Sequence, residues 1–274
     1  KLEFDIYEDR STLHAAFIQF ASQVKQKGVL IIEDSIGIDF PIPKGGVILT
    51  YSAKSKADFY ADNIRIKGGK MVFDINTLGV SSSLLLKKKQ KDVVLQLPGI
   101  HNISNSVAAS AVSFYLGLSF KDVADGLATF KGIIRRFEKH IDTDKLVYID
   151  DYAHHPKELA VTIQTTKMLY PARDITVIFQ PHLFSRTKDF AKEFATSLSA
   201  VDDLILLDIY PAREKPIIGI DSKMLLGLCN NPMKEVCSMD EILLRLEDKD
   251  IDVLLTLGAG DIGNLVDPIK EMLN

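Results

Sequence analysis

The stretch Asp150-Asp151-Tyr152-Ala153-His154-His155-Pro156-Lys157-Glu158 sets carboxylates, a phenol and imidazoles side by side, directly after the apolar run KLVYI. Groups of this kind can hold a metal, move protons or receive an anion. A metal is disfavoured, because neighbouring His154 and His155 do not readily point at one ion and the chain has no H-E-x-x-H or similar ligand spacing. Pro156 suits the first turn of a helix, which leaves both imidazoles at a helix N-terminus, where anions are favoured. The same text also fits a strand-end Asp capping that helix, with the imidazoles merely satisfied in place.

QPHLFSRT adds His182 and Arg186. An Arg can grip a carboxylate or phosphate through two parallel hydrogen bonds, so the pair suits an anionic substrate. LPGIHNISN places Asn102 and Asn105 at an expected helix start; an amide carries both a donor and an acceptor, enough to read the edge of a base such as adenine, although Asn is also a common N-cap. GAGD, Gly258 to Asp261, would let a backbone approach a ligand or would simply turn the chain. A G-x-x-x-x-G-K-[ST] phosphate loop is missing.

These residues need a scaffold, and the hydrophobic pattern describes one. Leu13, Phe17, Phe20 and Val24 repeat at helical spacing across Thr12 to Val24, and GVLIIE and GGVILTYS then read as short strands. Residues 57 to 97 read as a β-meander punctuated by turns such as Lys67-Gly68-Gly69, with the basic cluster KKKQK (Lys87 to Lys91) at a hairpin tip. Two helices follow. One runs from about Asn105 to Tyr115 and is stopped by Gly117; the other opens on a Ser119-x-x-Asp122 capping box and carries Val123, Leu127 and Phe130 on one face.

Beyond KGIIRRFEK the pattern changes to the apolar runs LVYID, ITVIFQ, DLILLDIY and DVLLTLG, alternating with helical text of which DFAKEFATSLSAV is the clearest. That alternation predicts an α/β fold with a mainly parallel, Rossmann-like sheet and helices on both faces. Ligand groups in such sheets collect beyond the carboxyl ends of the strands, so DDYAHHP, QPHLFSRT, DIYPARE and GAGD should converge on one edge. The expected domains are 1–134 and 135–274.

Composition narrows the partners. With 274 residues, 46% hydrophobic, the chain can fill two cores. A net charge of -4 gives no general field for nucleic acid or an anionic membrane. Cys229 and Cys237 suggest neither a disulfide framework nor a zinc site. The absence of a long apolar run or a signal-peptide layout makes a cytoplasmic protein the expectation, and the start at Lys1, without an initiator Met, suggests a piece of a longer one.

The ordered set LPGIHNISN, GIIRRFE, DDYAHHPKE, QPHLFSRT, DIYPARE and GAGD resembles the C-terminal part of a Mur ligase, most closely the branch that joins L-alanine to UDP-N-acetylmuramate. The resemblance spans nearly the whole chain, most strongly from about Leu97 onward. It implies that residues 1–134 are the C-terminal part of a central ATP-binding domain and 135–274 a Rossmann-like ligase domain. The phosphate loop, the Mg2+ ligands and the UDP-binding domain would then lie upstream of Lys1. The implied reaction is ATP-dependent activation of the sugar carboxylate to an acyl phosphate, followed by attack of the alanine amine and loss of phosphate, with domain closure gating the chemistry.

By motif, the resemblance gives Asn102 and Asn105 to adenine, Arg136 to the ATP phosphates and Asp151 to the ribose. Tyr152, His154, His182 and Arg186 would line the place where alanine meets the acyl phosphate, Arg186 on the alanine carboxylate and His154 as proton acceptor. Two departures stand out. Leu183 and Phe184 replace an Arg and a Tyr of the expected QPHRYTRT, and Glu3 falls where the family carries a His. Two other readings fit the same motifs: a ligase that recycles the murein tripeptide, and a nucleotide-binding module without catalysis of its own.

Overall fold

The structure is a computed structural model that describes residues 9–42, 44–79 and 88–274. Glu3, and with it the segment aligned to the family's His, lies outside the described residues. The chain divides into two compact units, Lys1–Lys131 and Gly132–Asn274.

In the first unit, helix α1 (Arg10–Ser22) starts where Asp9 and Thr12 form a reciprocal capping box. Five strands follow in one mixed sheet of order β1-β2-β3-β4-β5: β1 (Val29–Glu33), β2 (Val47–Ser52), β3 (Phe59–Lys67), β4 (Lys70–Thr77) and β5 (Lys89–Leu95). The first three are parallel; β3, β4 and β5 form the expected antiparallel meander. Gly68 and Gly69 both have positive φ, 58° and 70°, as a two-residue hairpin turn of that hand requires. Helices α2 (Ile100–Tyr115) and α3 (Phe120–Thr129) cover one face, burying Ile103, Val107 and Ala111 against Phe59, Phe73 and Leu95.

Two expectations change here. The described part of the basic cluster is no hairpin tip: Lys89, Gln90 and Lys91 belong to β5, and Lys89 Nζ lies 2.9 Å from Asp74 Oδ2 and 3.1 Å from Asp62 Oδ1. Asp74 is buried, and a buried carboxylate needs a counter-charge. Helix α2 also begins earlier than expected, because Gly99, at φ 100°, serves as its N-cap. Asn102 is therefore in the first helical turn and Asn105 one turn further in.

The second unit is a six-stranded sheet of order β10-β9-β8-β11-β7-β6, formed by β6 (Glu138–Asp142), β7 (Val147–Asp151), β8 (Ile175–Phe179), β9 (Asp203–Leu206), β10 (Met233–Val236) and β11 (Val253–Leu257). All pairs are parallel except β6 with β7. Alternate side chains feed two cores. Val147, Ile149, Val177, Phe179 and Leu255 face α4 (Pro156–Leu169), α6 (Ala191–Leu198) and α7 (Ser222–Leu228); Tyr148, Ile178, Ile205 and Leu254 face α8 (Ile242–Glu247) and α9 (Val266–Leu273). The expected helix DFAKEFATSLSAV is interrupted at Phe190, which separates α5 (Phe184–Asp189) from α6. Among the described residues, no helix is long and apolar enough to cross a membrane.

Candidate functional site

The carboxyl ends of β7, β8, β9 and β11 fall on one edge of the parallel sheet, and the segments leaving them share that edge. Four rings form a continuous row along it. Tyr152 meets His154 edge to face at 5.5 Å, His154 meets His182 at 6.0 Å, and His182 stacks on Tyr210 at 5.6 Å with an interplanar angle of 24°. Guanidinium groups stand over the Tyr152 end and beside His182. Arg135 and Arg136 lie 5.3 and 5.7 Å from the centre of the Tyr152 ring, and Arg186 Nη1 is 3.3 Å from His182 Nδ1. Neither Arg136 nor Arg186 makes a salt bridge among the described residues.

The hydrogen bonds fix both tautomers. A guanidinium only donates, so Nδ1 of His182 accepts from Arg186, and a neutral His182 carries its proton on Nε2. Burial, reinforced by Arg186, lowers the pKa of His182 and favours that neutral form. His154 Nδ1 lies 2.9 Å from the carbonyl oxygen of Tyr152, which can only accept, so Nδ1 is the protonated nitrogen and the Nε2 of neutral His154 keeps its lone pair.

His155, and no aspartate, caps α4: its Nδ1 accepts from the N–H of Lys157 at 3.4 Å. Glu158 completes the box by accepting from the N–H groups of His154 and His155 at 3.0 and 3.1 Å, so a carboxylate of the chain already occupies this helix start. Burial lowers the pKa of His155, and its Nε2 is buried without a hydrogen-bond partner.

Asp151 turns inward. Its oxygens accept from the N–H of Phe137 at 2.9 Å, from the N–H of Ala153 at 2.8 Å and from the Thr162 hydroxyl at 3.4 Å. Burial still raises its pKa to about 6 against those bonds. Asp150 is fully buried; Arg135 Nε donates to its Oδ2 at 2.8 Å and Thr256 to its Oδ1 at 2.7 Å.

Sequence reasoning missed this second layer, although a signal was present. Extended by two residues, GAGD becomes Gly258-x-Gly260-x-x-Gly263, the pattern of a dinucleotide loop after a strand. Here the chain fills the loop with its own side chains. Arg135 Nη2 donates to the Gly258 carbonyl at 2.8 Å, and a Cβ on Gly263 would meet Arg135 Nη1 at 2.7 Å. A Cβ on Gly260 would meet Gln180 Oε1 at 2.3 Å and the Tyr210 side chain at 2.8 Å. A 3-10 turn, Asp261–Leu265, follows in place of an α-helix start.

Of the residues singled out from the sequence, Tyr152, His154, His182 and Arg186 come together in the ring row, with Arg136 over its Tyr152 end, while Asp151 is turned into the fold on Phe137, Ala153 and Thr162. Asn102 and Asn105 lie in the first unit, spaced to share one face of α2, where Asn102 Nδ2 donates to the Pro98 carbonyl at 2.7 Å. No group of three or more His, Cys, Asp or Glu side chains among the described residues is placed to hold a metal ion.

The edge of the parallel α/β sheet thus carries guanidinium groups without salt-bridge partners among the described residues beside oriented imidazoles, groups whose chemistry suits an anion. Residues 4–113 match the Mur ligase middle domain and residues 135–260 the Mur ligase glutamate ligase domain, and the chain belongs to the Mur ligase family. The UDP-N-acetylmuramate--L-alanine ligase of Parabacteroides distasonis is 44% identical over 98% of this chain and 56% of its own length. Among solved structures, UDP-N-acetylmuramate-alanine ligase MurC of Thermotoga maritima superposes with a TM-score of 0.63 at 25% identity, covering 82% of this chain and 47% of that one. The MurF ligase of Thermotoga maritima in complex with ADP shares the fold at a TM-score of 0.67 and 16% identity, covering 99% and 60%. The chain thus spans a little over half the length of the curated relatives it matches.

Proposed function

We propose that this chain is the nucleotide-edge and amino-acid-binding part of a cytoplasmic enzyme that joins L-alanine to the carboxylate of UDP-N-acetylmuramate at the expense of ATP, a step of peptidoglycan precursor synthesis. The observation that carries the reading is the pairing of an unpaired guanidinium, Arg186, with the oriented imidazoles His182 and His154 on one sheet edge. The names of the relatives support the choice of substrates.

In this reading the sugar carboxylate attacks the terminal phosphorus of ATP, ADP leaves, and an acyl phosphate forms. The alanine nitrogen then attacks the acyl carbon, and phosphate leaves the tetrahedral intermediate. Arg186 grips the alanine carboxylate, and His154 Nε2 takes the proton that the amine sheds. Its Nδ1–H bond to Tyr152 O holds the ring for that role. Neutral His182 offers an Nε2–H donor to developing negative charge without placing a second cation beside Arg186.

Arg136, over the exposed Tyr152 ring, is the phosphate-facing cation, and Asn102 and Asn105 present amides from one helix face to adenine. Asp151 has only the lone pairs left by its main-chain donors to offer a ribose hydroxyl. Magnesium, when bound in the parent enzyme, would neutralise phosphate charge.

Phosphate release from ATP by the full-length parent tests the reading, with UDP-N-acetylmuramate present and L-alanine compared with the murein tripeptide. Stimulation by L-alanine is expected. Stimulation by the tripeptide alone would make the protein a recycling ligase, and stimulation by neither would leave a nucleotide-binding module.

A further inference from the structure

The inference here rests on reading His182 and Arg186 as the amino-acid site. The turn that presents them is held from within at the Leu183 carbonyl, which accepts from the N–H and the hydroxyl of Thr187 at 3.1 and 2.8 Å. Leu183, the N-cap of α5, offers no side-chain hydrogen bond and sits at φ 72°, a region L side chains rarely occupy. Further restraints come from residues 210–214, after β9. The N–H of Leu183 donates to the Tyr210 carbonyl at 2.9 Å and the N–H of Tyr210 to the Pro181 carbonyl at 2.8 Å, so His182 and Tyr210 pair as an isolated parallel bridge beneath their stacked rings.

Glu214 supplies the cap that α5 lacks. Its Oε2 accepts from the N–H of Ser185 at 2.9 Å, and its Oε1 accepts from the Ser185 hydroxyl. Glu214 is itself steadied by its N–H to the Pro211 carbonyl at 2.9 Å. Burial opposes its charge, but the hydrogen bonds from Ser185 and Phe184 and the proximity of Arg186 outweigh that and lower its pKa.

We infer that Glu214 is a positioning residue for the amino-acid site, fixing Ser185 and with it the placement of the adjacent Arg186 beside His182. It touches no substrate in this account. Its oxygens are taken up by Ser185 and the N–H of Phe184, and beyond its charge near Arg186 its effect passes through the start of α5.

The test uses the full-length parent enzyme. Glu214→Ala should raise the KM for L-alanine about 10-fold or more, leave the KM for ATP and for UDP-N-acetylmuramate within about twofold, and change the unfolding temperature little. Glu214→Gln keeps an oxygen for the Ser185 N–H and should recover most of the loss. Ser185→Ala, which removes the hydroxyl alone, should show the same selective rise in smaller measure and serves should Glu214→Ala not fold. Equal losses on all three substrates, or no rise in any variant, would overturn the inference. If the selective rise appears on an acceptor other than L-alanine, Glu214 keeps its role and the substrate assignment fails.

Discussion

The guanidinium of Arg135 lies 2.8 Å, through Nε, from Oδ2 of the fully buried Asp150, and its Nη2 reaches the Gly258 carbonyl at the same distance. One side chain therefore ties the entry to the second unit, the end of β7 and the glycine loop after β11. Asp150→Ala would leave the guanidinium without its counter-charge in a largely buried setting. Removing one partner of a buried pair costs about 3–5 kcal/mol, and chemical denaturation should show a loss of that size in the second unit. A loss below about 1 kcal/mol would mean that the pair behaves like an exposed one.

Gly260 has an ordinary φ of -88°, so a substitution there is opposed by space alone. Gly260→Ala drives a methyl into Gln180 and Tyr210, and should cost about 1–3 kcal/mol while disturbing the ring stacked on His182. Gly126 in α3 has nothing within 4 Å of the added carbon and makes the control: Gly126→Ala should stabilise by about 0.5–1 kcal/mol. Thermal unfolding of both variants gives the comparison, and equal shifts would contradict the packing described around Gly260.

Burial raises Asp151 from 3.8 to about 6, so the native state holds this proton more tightly than the unfolded chain does. The stabilisation is complete below the unfolded carboxyl pKa near 3.8, declines as pH rises, and is lost above about 6. The interval corresponds to about 3 kcal/mol. The carboxyl carbon of Asp151, followed by NMR across this range, should titrate near 6; a midpoint below about 4.5 would show that the Phe137 and Ala153 N–H bonds dominate burial.

The sheet edge was legible from the sequence because it depends on period and order. LVYID, ITVIFQ, DLILLDIY and DVLLTLG each became a strand whose end feeds the common edge. Strands β6 and β10 escaped notice: EKHID and MKEV carry polar edge-strand text with little apolar signal. Asn102 and Asn105 were placed at a helix start because Gly99 as N-cap gives no side-chain signal. Two contacts of the buried network, Arg135 to Gly258 and Asp150 to Thr256, join residues more than a hundred positions apart, which local pattern does not encode. The same holds for Glu214, whose partner Ser185 lies on a different strand connection.

Arg186→Ala in the full-length parent tests the central claim most directly, because Arg186 is the unpaired cation on which the amino-acid site is built. Steady-state phosphate release should show the KM for L-alanine raised about 100-fold, as loss of a charge-assisted bidentate contact implies, with the KM for ATP nearly unchanged. Equal weakening of alanine and ATP use would contradict the assignment of this edge to the amino acid.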